Sequence, residues 1–405
     1  MIIINNIKIT DNDDKSRLEF LILENDVEKK VFFEVENKYK EYLCYERCDA
    51  IIIGLLNYAM REGLNIKSEI PITEELLYNI NTYLIPALTK SDSKLTPITI
   101  EADTASALNN AGCVGTGLSC GIDSFHAILN NTNTKYNSLN LTHLCINNVG
   151  AFNDCYKRAG IEDVKNERYK QSKIVAEKLN LPLIMTDSNF ADVFQQSHLL
   201  TNSYSSMFAV YCMQKLWKTY YYASVGKSFE HFKLTNNSTQ DSANYDLLTL
   251  NCFSHNNLRL YSEGGAISRL EKTQNIIDNE IVQQHLHVCI SEAFNCSKCS
   301  KCMRTILSLY ALDKLEFYKN VFDIDYFYKN KSKYLTWLYI TYLEKDKIIA
   351  PIYKKLEKEV NLAIKFKCYL LLLLRWIFST KKQYFGNKKY KVITILGFNI
   401  KLKAK

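Results

Sequence analysis

The sequence predicts an α/β protein with a Rossmann-like parallel sheet, a small α+β domain ahead of it and a mostly helical, basic region behind. Three observations carry this prediction. Between residue 106 and about residue 318, short apolar runs alternate with helical patterns at the spacing of βαβ units. Within that stretch a Ser-x-Gly-x-Asp-Ser segment, Ser119-Cys120-Gly121-Ile122-Asp123-Ser124, joins an apolar run to a helix. Further on, Cys289, Cys296, Cys299 and Cys302 have the spacing of a metal-binding knuckle.

Residues 1–105 read as a separate N-terminal unit. Ile2-Ile3-Ile4, Leu18 to Leu23 and Val31 to Val35 are apolar or alternating between polar turns, as in a small antiparallel sheet, and Ala50 to Arg61 is helical in pattern. Glu46, Arg47 and Asp49 precede that helix, where charges serve as caps more often than as catalysts. The unit is left with substrate choice or homodimer formation as its expected role.

In the second unit, residues 106–318, Val114 to Leu118 is a short buried strand and Ser124 to Leu129 opens an amphipathic helix. Strand Leu141 to Ile146, helix Val164 to Leu179, strand Leu183 to Thr186, helix Met207 to Lys218 and strand Tyr220 to Val225 follow. The loop between the first strand and helix aims backbone N–H groups and the positive helix end at one spot, and Gly121 lets an anion approach closely. The Ser119 and Ser124 hydroxyls add donors. Asp123 repels phosphate by charge, so its expected work is capping the helix and holding Mg²⁺ beside the phosphates. A capped turn with no ligand is the alternative. Ligands of parallel sheets bind beyond the carboxyl ends of the strands, which here means Ser119, Asn147-Asn148, Asp187-Ser188-Asn189 and Ser224-Val225-Gly226-Lys227.

The cysteines form Cys-x6-Cys-x2-Cys-x2-Cys in a polar setting of Asn295, Ser297, Lys298, Ser300 and Lys301. Four soft sulfur ligands suit tetrahedral structural Zn²⁺, and an iron–sulfur cluster is the rival occupant. Among the seven histidines, His126, His143, His198, His231, His255, His285 and His287, only His285-x-His287 is paired, and it reads as two residues on one strand face.

The loop resembles the PP-loop of the ATP pyrophosphatases, which cleave ATP between the α and β phosphates and pass AMP to a substrate. It departs from the commonest form at Cys120, where Gly is usual. Followed by the four cysteines, it looks like the 7-cyano-7-deazaguanine synthase branch, whose members adenylate a carboxylate and carry it, with ammonia, through an amide to a nitrile. The resemblance covers about residues 110 to 315 and includes Ser268-Arg269-Leu270-Glu271-Lys272 and the run from Lys301-Cys302-Met303 into the apolar helix Ile306 to Tyr318. It implies ATP, Mg²⁺ and Zn²⁺ as ligands, with residues 119–124, Ser224 and Arg269 around the nucleotide. Asp123 and Lys272 then serve the chemistry, Lys272 by reaching the phosphates. An amide-forming or sulfur-inserting enzyme acting on a sugar or a tRNA base is the alternative. Thiolation would need Cys120 or Cys113 as the reactive thiol.

The third unit, residues 319–405, is rich in Tyr and Lys. From Asn361 to Lys405 there are eleven Lys or Arg and no Asp or Glu, so the chain's net +8 lies there. Cys368 to Leu374 falls short of the ~20 apolar residues that span a bilayer. Lys391 to Ile400 reads as a terminal β-hairpin turning near Gly397. Such tails loosely resemble the ends of some bacterial surface-polysaccharide enzymes, and the charge points to an anionic lipid or glycan. A non-catalytic nucleic-acid or membrane-binding protein is a further class, though the aromatic and basic stripe that nucleic acid requires is missing around the cysteines. Thirteen cysteines with one metal-spaced set, and no signal-peptide pattern after Met1, suit reduced thiols in a cytoplasm, with peripheral contact at the inner membrane face.

Overall fold

The computed structural model describes residues 1–151, 161–224, 228–235, 238–289, 292–385, 388–396 and 398–403. Val225, Gly226 and Lys227, expected at a strand end, and Gly397, expected at a hairpin turn, lie outside them. The chain forms two compact units, Met1–Ile276 and Ile277–Lys405.

The first unit opens with an antiparallel meander of β1 (Ile2–Asn12), β2 (Lys15–Glu24) and β3 (Val27–Glu36). Alternation sets its inner face: Leu18, Phe20 and Ile22 are buried and the residues between them are not. Asn25 and Asp26 turn β2 into β3 with φ of 48° and 68°, the left-handed pair that a tight hairpin needs. Strands β4 (Ile66–Ser68) and β5 (Ile100–Glu101) extend the sheet beyond β1 in parallel.

Helix α1 (Asp49–Glu62) is apolar on nearly every side, from Ile51 to Met60, and is buried as such helices must be. It ends at Gly63, whose φ of 66° supplies the left-handed cap. Asp49 at its start is a structural residue. Its carboxylate accepts from Thr73 N, Thr73 Oγ1 and Gln214 Nε2, while Arg47 donates to Ser106 O.

The parallel half comprises β6 (Cys113–Gly117), β7 (His143–Asn148), β8 (Leu183–Ser188), β9 (Trp217–Ala223) and β10 (Arg259–Glu263). Helices α2 (Ile122–Asn130), α3 (Ile161–Lys178) and α4 (His198–Cys212) lie between successive strands, and α5 (Arg269–Ile276) follows β10. One ten-stranded, mostly parallel sheet results, in the order β10-β9-β6-β7-β8-β3-β2-β1-β4-β5. A two-residue antiparallel register, Asp187 with Glu34 and Ser188 with Phe33, joins the meander to the parallel half. The chain adds β7 and β8 on one side of β6, then returns to add β9 and β10 on the other. The order in which strands are added therefore reverses between β6 and β9, which makes that gap the sheet's topological switch point.

The structure moves some boundaries. The helix expected from Met207 to Lys218 is α4, which starts at His198, stops at Cys212 and gives way to β9 at Trp217. Its polar first turns fit a helix because Thr201 and Ser205 return their hydroxyls to the carbonyls of Ser197 and Thr201.

In the second unit, the helix expected over Ile306 to Tyr318 is α6 (Ser300–Ala311), after which Leu315–Tyr318 makes a separate 3₁₀ turn. Helices α7 (Lys331–Leu343) and α8 (Leu362–Ile377) follow. Beyond the expected hairpin, the terminal sheet has three strands, β11 (Phe378–Phe385), β12 (Lys388–Ile395) and β13 (Phe398–Lys403). No described helix is long and apolar enough to cross a membrane.

Candidate functional site

Loop 118–121 leaves the carboxyl end of β6, at the switch point, and runs into α2. Ser124 holds the loop closed: its buried hydroxyl donates to Gly117 O at 2.7 Å and accepts from Ser119 N at 3.1 Å. That hydroxyl is spent within the loop, which corrects its expected role as a ligand donor. The exposed Ser119 hydroxyl accepts from Gly121 N at 3.4 Å and keeps its own hydrogen to give. Helical bonding starts with Phe125 N to Gly121 O, so the N–H groups ahead of it have no acceptor inside the helix. Ile122 is buried as the apolar anchor of this first turn.

Cys120 takes φ of 57°, a left-handed conformation that costs a side-chain-bearing residue about 1 kcal/mol. Its thiol turns inward, 3.7 Å from Ser172 Oγ on α3, and so leaves the open side of the loop unobstructed. Burial pushes that thiol up to about 11. Cys113, half-buried in β6, is raised by burial as well. Neither cysteine has the thiolate character of a nucleophile.

Asp123 does not cap α2, because the capping position belongs to Gly121. Its carboxylate instead receives two cations from α5, Arg269 Nη1 on one oxygen and Lys272 Nζ at 3.3 Å on the other. Lys272 is fully buried and reaches across to the end of β9, donating to Ser224 Oγ at 2.6 Å and Ser224 O at 3.2 Å. Burial lowers its pKa from the usual lysine value, against the pull of Asp123. The structure thus gathers Asp123, Ser224, Arg269 and Lys272 from three separate stretches of sequence, the first of which also carries Ser119.

Two residues join them unannounced. His126, one turn beyond Asp123, is buried with no partner at Nδ1, and burial and the neighbouring Lys272 lower its pKa. Its only sequence signal is the three-residue offset from Asp123. Gly264, directly after β10, has φ of 76°, and a Cβ there would lie 2.8 Å from Lys272 Cε and 3.1 Å from His126 Nδ1. Only glycine leaves room for both side chains.

The other strand ends hold the sheet together. Asp187 accepts from Asn148 Nδ2 at 2.6 Å, while Ser188 and Asn189 bond to the backbone of Phe32 and Lys30 on β3. Two clefts also lie away from the loop. One of about 500 Å³ sits beside Lys173 and Leu183, at the amino end of β8, and one of about 350 Å³ lies on the meander beside Arg17 and Phe32.

In the second unit, the sulfurs of Cys289, Cys296, Cys299 and Cys302 all lie within 4.8 Å of one another, with Cys296 to Cys302 and Cys289 to Cys299 at 4.0 Å. Tetrahedral zinc with bonds of about 2.3 Å places its sulfurs about 3.8 Å apart, so a slight contraction completes the site. Backbone N–H groups of Lys298 and Cys299 point at Cys296 Sγ, and that of Cys302 at Cys299 Sγ. Asn295 braces the knuckle, accepting from Val288 N and Cys289 N and donating to Leu286 O and Val321 O. Hydrogen bonding with the Cys289 and Cys299 sulfurs, together with burial, pushes the Cys302 thiol far up, a shift that a divalent cation held by the thiolates would reverse. His285 and His287 are not part of this ligand group among the described residues.

No model of a known protein family, no curated protein and no solved structure matches the chain.

Proposed function

We propose that the first unit binds ATP at the carboxyl ends of β6 and β9 and transfers AMP to a carboxylate or similar oxygen, in a ligase reaction akin to that of the 7-cyano-7-deazaguanine synthases. One observation carries this reading. A fully buried lysine, Lys272, and an arginine, Arg269, converge on the first turn of the helix after a Ser-x-Gly-x-Asp-Ser loop, at the switch point of a parallel sheet.

The acceptor oxygen attacks the α phosphorus, the bond to the oxygen bridging α and β breaks, and pyrophosphate leaves with that electron pair. Loop N–H groups and the Ser119 hydroxyl bind the departing phosphates. Asp123 fits Mg²⁺ as a carboxylate oxygen ligand, and the metal would supply charge neutralisation beside the phosphates. In the structure Asp123 is held by Arg269 and Lys272. Were Asp123 to hold Mg²⁺, Arg269 and Lys272 would be left to meet the phosphates. The four cysteines would hold Zn²⁺ as a closed structural site with no open position. The raised thiols of Cys113 and Cys120 give sulfur insertion no support.

The test separates nucleotide products after incubation with ATP, Mg²⁺, ammonia and candidate carboxylates. AMP and pyrophosphate are expected, with turnover lowered in Asp123→Ala and Lys272→Ala by about 2 to 4 kcal/mol of transition-state stabilisation. ADP and phosphate, or turnover indifferent to both substitutions, would refute the reading.

A further inference from the structure

Helix α8 carries an apolar stripe that stands exposed among the described residues. Leu362, Phe366, Leu370, Leu373 and Ile377 recur at three- and four-residue spacing and are all exposed, Leu362 by 83% and Phe366 by 73%. Trp376 and Tyr369 flank the stripe and are exposed too. The opposite side, with Ile364 and Cys368, is the buried one. On the terminal sheet Phe398, Ile400 and Leu402 alternate along β13 and stand exposed on a single face. So much exposed apolar surface in one unit marks an interaction site.

The charge selects the partner. All eleven ionisable side chains of the Lys, Arg, Asp and Glu types from Asn361 to Lys405 are cationic. Exposed Lys367 and Lys391 are among them, and among the described residues Arg375 meets an acid only in Glu344, 3.5 Å away just past α7. At 16 residues α8 is too short to span a bilayer, which takes ~20. A helix with aromatic and leucine residues on one face and lysines around it lies in the plane of a membrane interface.

We propose that α8 and the terminal sheet dock the protein on the anionic face of a lipid bilayer, the stripe entering the headgroup boundary and the lysines meeting acidic lipid. This rests on the second unit alone and is independent of the nucleotide reading.

The test floats the full-length protein with vesicles of phosphatidylcholine, with and without phosphatidylglycerol. Partitioning onto the anionic vesicles is expected to exceed that onto neutral ones at least tenfold at low ionic strength. It should weaken at about physiological salt without vanishing, because screening acts on the lysines and not on the stripe. The double variant Phe366→Ser, Leu373→Ser, with both sites already solvent-facing, should lose at least tenfold in partitioning while keeping its melting temperature. No flotation with anionic vesicles, or a double variant that floats as well as the parent, overturns the proposal. So does a double variant whose only change is from dimer to monomer in sedimentation equilibrium, because a second copy of the chain would then be what covers the face.

Discussion

Lys272 Nζ lies 2.6 Å from Ser224 Oγ and 3.3 Å from Asp123 Oδ1, so one buried ammonium ties α5 both to the end of β9 and to the first turn of α2. Removing the carboxylate should cost more stability than removing the cation. In Asp123→Asn the ammonium stays buried with less compensation, an expected loss of about 1 to 3 kcal/mol in urea unfolding. In Lys272→Met the volume is kept and Arg269 still answers Asp123, so stability should change by less than about 1.5 kcal/mol. Equal losses in the two variants would contradict this account.

The two serines of the loop should separate structure from chemistry. Ser124→Ala leaves Ser119 N and Gly117 O without their hydroxyl partner and should destabilise the fold by about 1 to 2 kcal/mol. Ser119→Ala, at an exposed site, should leave the melting temperature unchanged and lower nucleotide turnover. The comparison needs one thermal scan and one product assay per variant.

Elemental analysis of the purified protein should find one zinc per chain. Cys302→Ser should lose the metal and lower the melting temperature sharply, since the binding energy of a structural zinc is folding energy. A visible charge-transfer band with iron in place of zinc would assign the sulfurs to a cluster instead.

His255 should give the fold an acid limit. It is buried against the Tyr211 ring, and burial lowers its pKa from 6.5 to about 4, Glu75 opposing the shift and Arg259 adding to it. The unfolded chain takes up this proton near 6.5 and the folded one only near 4. Its contribution is therefore whole above pH 6.5 and declines between pH 6.5 and 4 by about 1.4 kcal/mol per unit. His255→Gln should flatten the melting temperature over that window, and an unchanged slope would place the acid sensitivity elsewhere.

What was legible in the sequence was local. The loop, the strand before it and the cysteine knuckle are written in contiguous residues whose turn, helix and ligand chemistry act over a few positions. Lys272 came only through resemblance, and His126 was missed, because a single histidine on an apolar helix face has no partner in its own neighbourhood. The Asp187 to Glu34 register could not be read, since a two-residue contact between distant strands leaves no periodic trace. Asp187, Ser188 and Asn189 carry weight as strand ends, and the structure employs Ser188 and Asn189 to fasten β8 to β3 and the Asp187 carboxylate to hold Asn148 of β7. The apolar run of α8 was visible, but not which of its faces would stay uncovered.

That same register bears on the order of assembly. The strands β1, β2 and β3 close through short turns, whereas each parallel strand must wait for an intervening crossover, and local closure is fast where distant closure is slow. As the chain emerges from the ribosome, the meander can form first and present the free edge of β3 as a ready template for β8. Pulsed amide exchange during refolding should accordingly protect residues of β2 before those of β6 and β7. Simultaneous protection would mean that the sheet condenses as one body.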